Sequence, residues 1–491
     1  MLAVVVSRPD EASVAIGDQL RELSAWRTDR DDSRPEGEGG GRVYRRQGVA
    51  IREFDARHLD LVRPAHAFDD PELLVFASKH AGETGPLLTA HHTGNFGQAD
   101  HGGSDRDLAR ACPNAHARVV AALRTHAPDG YRVGMEATHH GPSEVGVPSM
   151  FVEVGSGPDQ WRDPAAATAV ARAILAVRDV PPFRQPEYAV SKAGRSDCPR
   201  EDQGSDASGD TKGSATGDPS TAPRGHQTAD PPLRHVVGFG GGHYTPRFER
   251  LLRETDWAVG HVAPDWGLEA MGDPEDPAAR GVIEQAFERS RARYALVEGD
   301  RAGVVEAAES LGYRVVSETW LREAAGVSLP LVEALEEAIA PVADGLRFGE
   351  AGPEAPGDFA IVSLPTDLLE AARSVDSTRV RAAVAERTLA FLTEDNGATV
   401  VGPAALPASS SRTALVGVLV EVLRAGYDEV EWTDDVVVAR RERFDPERAR
   451  TLGVPEGPAF GQLAAGETVE VDGREIDPRS VHTVHVDRFE V

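Results

Sequence analysis

LARACPNAHARVVAALRTH at residues 108–126, YRVGME at 131–136, MFVEV at 150–154 and DPAAATAVARAILAVRDV at 163–180 decide the fold class. The first and last carry apolar residues at helical spacing. The middle two are short runs of strand type, and the last opens with Asp163 as N-cap and Pro164 at the first helical position. Helix and strand in alternation predict an α/β fold with a mostly parallel or mixed sheet flanked by helices. Upstream, strands at 2–6, 48–53, 73–77 and 87–90 and a helix reaching about residue 23 keep the same rhythm.

Between 190 and 232 the chain turns to Ser, Gly, Asp, Thr and Pro, as in SDASGDTKGSATGDPSTAPRG, with almost nothing to bury, which predicts a disordered insertion. The α/β pattern then resumes, with strands at 233–240, 257–262 and 294–298 and helices at 247–255, 278–291 and 301–311. The expected organisation is an α/β domain over 1–343, a Gly-, Pro- and acid-rich linker over 344–358, and a smaller α+β region over 359–491. That last region reads as a strand at 359–364, helical patterns at 374–394 and 413–425, and a strand-rich tail.

The 491 residues are 40% hydrophobic, enough for more than one core and too many for a wholly disordered chain. Against 52 Lys plus Arg stand 80 Asp plus Glu, a net charge of -28, and the only lysines are Lys79, Lys192 and Lys212. This composition suits molar salt, where the Debye length falls to about 3 Å. Diffuse repulsion of a polyanion is then screened, while bidentate Arg contacts to phosphate still operate. Cys112 and Cys198 form no disulfide framework, so a reduced, cytoplasmic chain is expected. No stretch approaches the roughly 18 uninterrupted apolar residues of a membrane span, so no membrane role is expected.

Six of the 16 histidines fall in four Gly- or Pro-bounded segments at the ends of predicted strands: TAHHTGN with His91 and His92, GMEATHHGP with His139 and His140, GFGGGHYTP with His243, and AVGHVAPDW with His261. Ligands of open α/β sheets sit beyond strand ends, so such loops converge on one crevice. Imidazole and carboxylate are ligands Zn²⁺ accepts, and three protein ligands leave a position for a water of lowered pKa. Strand parity puts Glu136 and His140 on one face and His139 on the other, and likewise separates His91 from His92. Glu136 or Glu144 then serves as base, ligand or orienter. His101 is a weaker candidate, and His58, His66, His80, His116, His126 and His226 read as packing or surface residues. The Gly238–Gly242 loop follows a strand and precedes a helix, which suits an anion cradle at a helix N-terminus; it does not fit GxGxxG, because His243 takes the third glycine position. Arg247 reads as a phosphate contact or a solvated helix residue, Asp265 as a ligand or a helix cap, and Trp266 as core or a stacking surface for a base. No GxSxG elbow is present, which disfavours serine catalysis.

Taken together, LLTAHHTGNFG, GMEATHHGPSE, VVGFGGGHYTPRF and VGHVAPDWGL resemble, in order and spacing, the archaeal and plant-type D-aminoacyl-tRNA deacylases. The resemblance covers about residues 1–330. It implies hydrolysis of the ester joining a D-amino acid to the terminal ribose of tRNA, dependence on Zn²⁺, and a fold similar to the phosphorylase and peptidyl-tRNA hydrolase group. LGVPEGPAFGQLAAGETVEVDGREI at 452–476 also looks like a stretch found in ribonuclease Z-type enzymes. The expected partner is tRNA carrying a D-amino acid, the expected state a monomer. The candidate catalytic residues are Glu136, His140, His243 and Asn95, and the candidate metal ligands His91, His92, His139 and His261. Gly240, Gly241, Gly242, Arg247 and Trp266 are the candidate substrate contacts, the loop amides gripping an oxyanion or the terminal phosphate. The alternatives are an RNA-binding or metal-stabilised protein without catalysis, or a nucleoside phosphorylase-like enzyme.

Overall fold

The unbroken apolar run LAVVVS folds as the fully buried strand β1 (Leu2–Ser7), the pattern of a strand covered on both faces. The computed structural model describes residues 1–186, 233–351, 359–433 and 435–491. After β1 come β2 (Arg27–Asp31), β3 (Gly41–Arg46), β4 (Val49–Phe54), β5 (Leu73–Lys79), β6 (Leu87–His91), β7 (Arg132–Met135) and β8 (Ser149–Gly155). They form one mixed sheet in the order β2-β3-β4-β1-β5-β8-β6-β7. The block β4-β1-β5-β8 is parallel. β6 then runs antiparallel to β8 and carries β7 parallel to itself. The β2–β3 hairpin escapes sequence reading because RTDRD and GRVYRR are too charged to show an apolar alternation.

Asp163 caps the helix Pro164–Leu175 through Oδ1 and the Ala165 amide at 2.8 Å, with Pro164 at its first position. That helix packs with Glu11–Glu22 and Pro113–His126. The middle helix begins at Pro113 and not at Leu108, because proline has no N–H to donate and its fixed φ suits a first turn; residues 108–112 run instead as extended loop. On the sheet's inner face Phe76 of β5 stacks on Phe151 of β8, ring centroids 4.5 Å apart.

Past the insertion the α/β rhythm builds a second sheet instead of extending the first. Strands β9 (His235–Phe239), β10 (Ala258–Ala263), β11 (Tyr294–Val297) and β12 (Arg314–Val315) lie in the order β10-β9-β11-β12, all parallel. Both sheets belong to a unit ending at Leu329, and a second unit begins at Pro330. In the second unit β13 (Leu346–Phe348), inside the stretch expected as linker, joins β14 (Phe359–Ser363), β15 (Ala390–Glu394) and β16 (Thr399–Pro407) as an antiparallel sheet in the order β13-β15-β16-β14. The pattern over 374–394 resolves into the helix Thr366–Arg387 followed by β15. A three-stranded sheet of Glu429–Trp432, Val436–Phe444 and His482–Glu490 and the hairpin Val469–Val471/Arg474–Ile476 complete the unit. The insertion expected over 190–232 lies outside the described residues. Among the described residues no helix is long and apolar enough to cross a membrane.

Phe76 is fully buried and stacked, so Phe76→Ala is expected to lower stability by about 3–5 kcal/mol through lost burial and the cavity left behind. Denaturant titration in molar KCl measures it.

Candidate metal centre

His91 closes β6 and faces Phe151 across the β6–β8 ladder, so both rings share one sheet face with Glu153, two residues along β8. Ser78 of β5 stands opposite Glu153 on that face. The loop after β7 adds Glu136, His139 and His140, and the loop after β9 adds His243. The strand-parity expectation for 136–140 fails: the strand stops at Met135 and His140 adopts a left-handed φ of 43°. The curled loop therefore turns Glu136 and both histidines into the same cluster, with His91 4.2 Å from His139 and 4.9 Å from His140 by ring centroid. Gly141 permits the curl, since a Cβ there would lie 2.3 Å from the Gly103 amide nitrogen.

Three of these imidazoles share one arrangement. His91 Nδ1 lies 3.0 Å from the carbonyl of His92, His139 Nδ1 2.8 Å from that of Ala137, and His140 Nδ1 2.8 Å from that of Gly141. A carbonyl can only accept, so each Nδ1 carries the proton and donates it, leaving an Nε2 lone pair. Nitrogens of the three converge within 4.8 Å of one another. Burial first, then like-charged neighbours, pushes His139 and His140 down to about 3, and His91 is pushed well down by the same causes. All three are neutral at physiological pH.

Glu136, its side chain fully buried, accepts a hydrogen bond from His243 Nε2 at 2.8 Å. Its other neighbours are His139 Nε2 and His80 Nε2, each at 3.6 Å. Burial opposes its charge, but the His243 bond and the flanking histidines outweigh burial and hold the carboxyl below its ordinary range. Glu153 is pushed up by burial and then by the charge on Glu136. Of the pair, Glu136 is therefore the carboxyl held toward its ionised form and Glu153 the one pushed toward its neutral form. The cluster opens into a cavity of about 570 Å³ whose far wall includes Ser7, Asp10, Arg57, His58 and Lys79.

The donors fit a divalent metal on two counts. His91 Nε2 and Glu136 Oε1 are buried with no hydrogen-bond partner, and ligands oriented by carbonyl bonds at the opposite nitrogen are what such sites require. The groupings within ligand reach are His91, His139 and His140; His80, Glu136 and His243; and His91, Glu136 and Glu153.

Several expectations are corrected. His92 points to the opposite sheet face, donating to the Gly260 carbonyl and packing 4.7 Å from His116. His261 donates to the Ala109 carbonyl and accepts from Thr138 Oγ1. Neither belongs to a metal-capable group among the described residues. The Asn95 amide ties down the carbonyls of Gly102 and Ser104. The Gly240–Gly242 loop is no anion cradle: the Gly240 amide donates to Ala263 and the Gly241 amide to Asp265 Oδ1. Asp265 and Glu298 also wall the hollow beside Gly241. Arg247 pairs with Glu318 at 2.8 Å and exposed Glu144 with Arg63. Trp266 is not a core residue: it stands 49% exposed and lines a separate cavity. His80, read as packing, belongs to the cluster and receives the Tyr244 hydroxyl at 3.2 Å; its signal was a strand end followed by Gly82. Glu153 was missed too, although a carboxylate inside the buried run MFVEV marks it out.

Fold and cluster define an α/β protein with a histidine–carboxylate centre of the kind divalent metals accept. The family model for D-aminoacyl-tRNA deacylase matches residues 67–194 and 221–316. Relatives bearing that name are 51% identical over 491 residues in Haloarcula marismortui and 48% over 490 in Natronomonas pharaonis, each aligned over 100% of both chains. Another, from Methanoregula boonei, is 30% identical, covering 100% of this chain and 98% of its own. A solved conserved protein of unknown function aligns with TM-score 0.49 and 26% identity over 66% of this chain and 96% of its own. The chain belongs to the D-aminoacyl-tRNA deacylase family. Likeness to these relatives extends through the second unit, beyond the residue-330 limit of the motif resemblance.

Two outcomes are expected. Zinc content, read by atomic absorption, falls in His91→Ala, His139→Ala and His140→Ala, while His92→Ala and His261→Ala keep the metal and lose about 1–3 kcal/mol of stability from unsatisfied buried partners. Separately, His58, His116 and His261 are pushed down to about 4, chiefly by burial, below an unfolded value of about 6.5. A depressed histidine stabilises above its unfolded pKa, and that stability drains away as pH falls toward the folded value. The thermal midpoint should drop progressively between pH 6.5 and 4.

Proposed function

We propose that this chain hydrolyses the ester of D-aminoacyl-tRNA, releasing the D-amino acid and tRNA, with a Zn²⁺ held by His91, His139 and His140 beside Glu136. The observation that carries the reading is the triplet of neutral imidazoles, each with Nδ1–H on a backbone carbonyl, beside the buried carboxylate of Glu136, with His139 and His140 lining an open cavity. Bound there, zinc would supply a water of pKa near 7 and a Lewis acid for the ester carbonyl.

The protein's own groups do the rest. Glu136 Oε1, unpartnered, takes a proton from the attacking water and returns it to the departing ribose oxygen. The His243 bond to Oε2 fixes which oxygen is available and keeps the carboxylate ionised until the substrate arrives. His80, a lining residue of the cavity, stands between the Tyr244 hydroxyl and Glu136. Chirality is selected by the cavity walls, because at a fixed ester and α-ammonium a D-side chain points where an L-side chain does not. Family membership and relatives named for this reaction support the assignment. The enzyme acts in a salt-rich cytoplasm, in keeping with its net charge of -28.

Amino-acid release from D-tyrosyl-tRNA and L-tyrosyl-tRNA, compared in molar KCl with and without chelator, tests this. Release from the D-ester alone, lost with chelator and restored by Zn²⁺, is expected, and Glu136→Gln should slow it about 10²- to 10⁴-fold. Release from neither ester by folded protein overturns the assignment.

A further inference from the structure

His139 lines two cavities at once: the larger one described above and a second of about 220 Å³. Three segments build the second. The short helix Asp265–Met271 supplies Trp266, the loop after β6 supplies Asn95 to Gln98, and the end of the β7 loop supplies Thr138. The walls are tightly joined, since a Cβ on Gly97 would lie 2.5 Å from the Ala270 side chain. Arg106 completes the lining. Its guanidinium reaches the Met271 carbonyl at only 3.3–3.4 Å. It is in no ion pair among the described residues, unlike Arg63, Arg247 and Arg301, which are paired with carboxylates.

An ester substrate has two halves, and a residue at the junction of two cavities separates them. We infer that the smaller cavity binds the 3′-terminal adenosine of the tRNA, its base on the face of Trp266 and its 5′-phosphate at Arg106, while the D-aminoacyl group enters the larger one. This rests on the reading of the chain as an ester hydrolase acting on tRNA. The guanidinium of the smaller cavity sets the orientation. The nucleotide half carries a phosphodiester, which suits Arg106, in no ion pair, and the aminoacyl half is left the larger cavity, whose wall offers Asp10 to its α-ammonium. A half-exposed indole offers a base the π-face that sequence-tolerant binding uses, and base identity matters little where every acceptor ends alike. Asp100, an exposed residue, also lines this cavity.

Adenosine 5′-monophosphate is the probe, titrated calorimetrically into the full chain in molar KCl. Saturable binding is expected, weakened about 5- to 100-fold by Trp266→Ala and largely kept by Trp266→Phe. Arg106→Ala should weaken the monophosphate more than adenosine. On D-tyrosyl-tRNA, Trp266→Ala should raise KM by the same factor while kcat falls much less. Absence of binding to the wild-type chain, equal binding to wild type and Trp266→Ala, or binding removed by Arg57→Ala and untouched by Trp266→Ala overturns the inference, the last placing the base in the larger cavity. Nucleotide binding is read without ester cleavage, so an inactive but nucleotide-binding chain refutes the proposed hydrolysis and not the subsite.

Discussion

Everything at the candidate centre depends on the hydrogen bonds from Nδ1 of His91, His139 and His140 to peptide carbonyls. Clustering imidazoles in a dry interior invites two failures: protonation, which repels a cation, and rotation, which scatters the lone pairs. Burial prevents the first by making the charged form too expensive. The carbonyl bonds prevent the second by fixing tautomer and ring plane together. The acceptors lie one or two residues from the imidazoles themselves, so the loop that delivers each ring also aims it. Glu136 completes the balance as an acid held toward its ionised form amid these bases, with Glu153 pushed the other way beside it.

The sheet supplies the stage. Because β6 reverses direction against β8, the loop after β5 leaves from one end of the sheet and the loops after β6 and β7 from the other. His80 and the histidine doublets arrive from opposite sides over a single face, and the floor between them is made by side chains in mid-strand, Ser78, Phe151 and Glu153. The centre is therefore built on a sheet face and not in a crevice beyond one row of strand ends.

The mixed α/β architecture was legible because fully buried strands and capped helices announce themselves, as with LAVVVS and Asp163–Pro164. So was the gathering of His91, Glu136, His139, His140 and His243, since histidine beside glycine at several strand ends has little structural reason. Parity separated His91 from His92 but gave no sign of which faced the cavity, because both faces of the sheet are covered. It failed beyond Met135, where a left-handed His140 breaks the alternation. The glycine loop misled because Asp265, which takes the Gly241 amide, and Glu298, which lies beside it, are distant in sequence. The boundary at 330 and strand Leu346–Phe348 were hidden by a composition that looks like a linker until a neighbouring strand pairs with it.

The reversal between β6 and β8 has a temporal side. During synthesis the two histidine doublets leave the ribosome before Ser149–Gly155, the strand that aligns them and lays the floor beneath, and His243 follows only after the long Ser- and Gly-rich stretch. Until then the histidines of the nascent chain have no shared sheet face to gather on. The cluster waits on closure of the sheet, so the chain passes through its period of greatest exposure before these side chains are brought together.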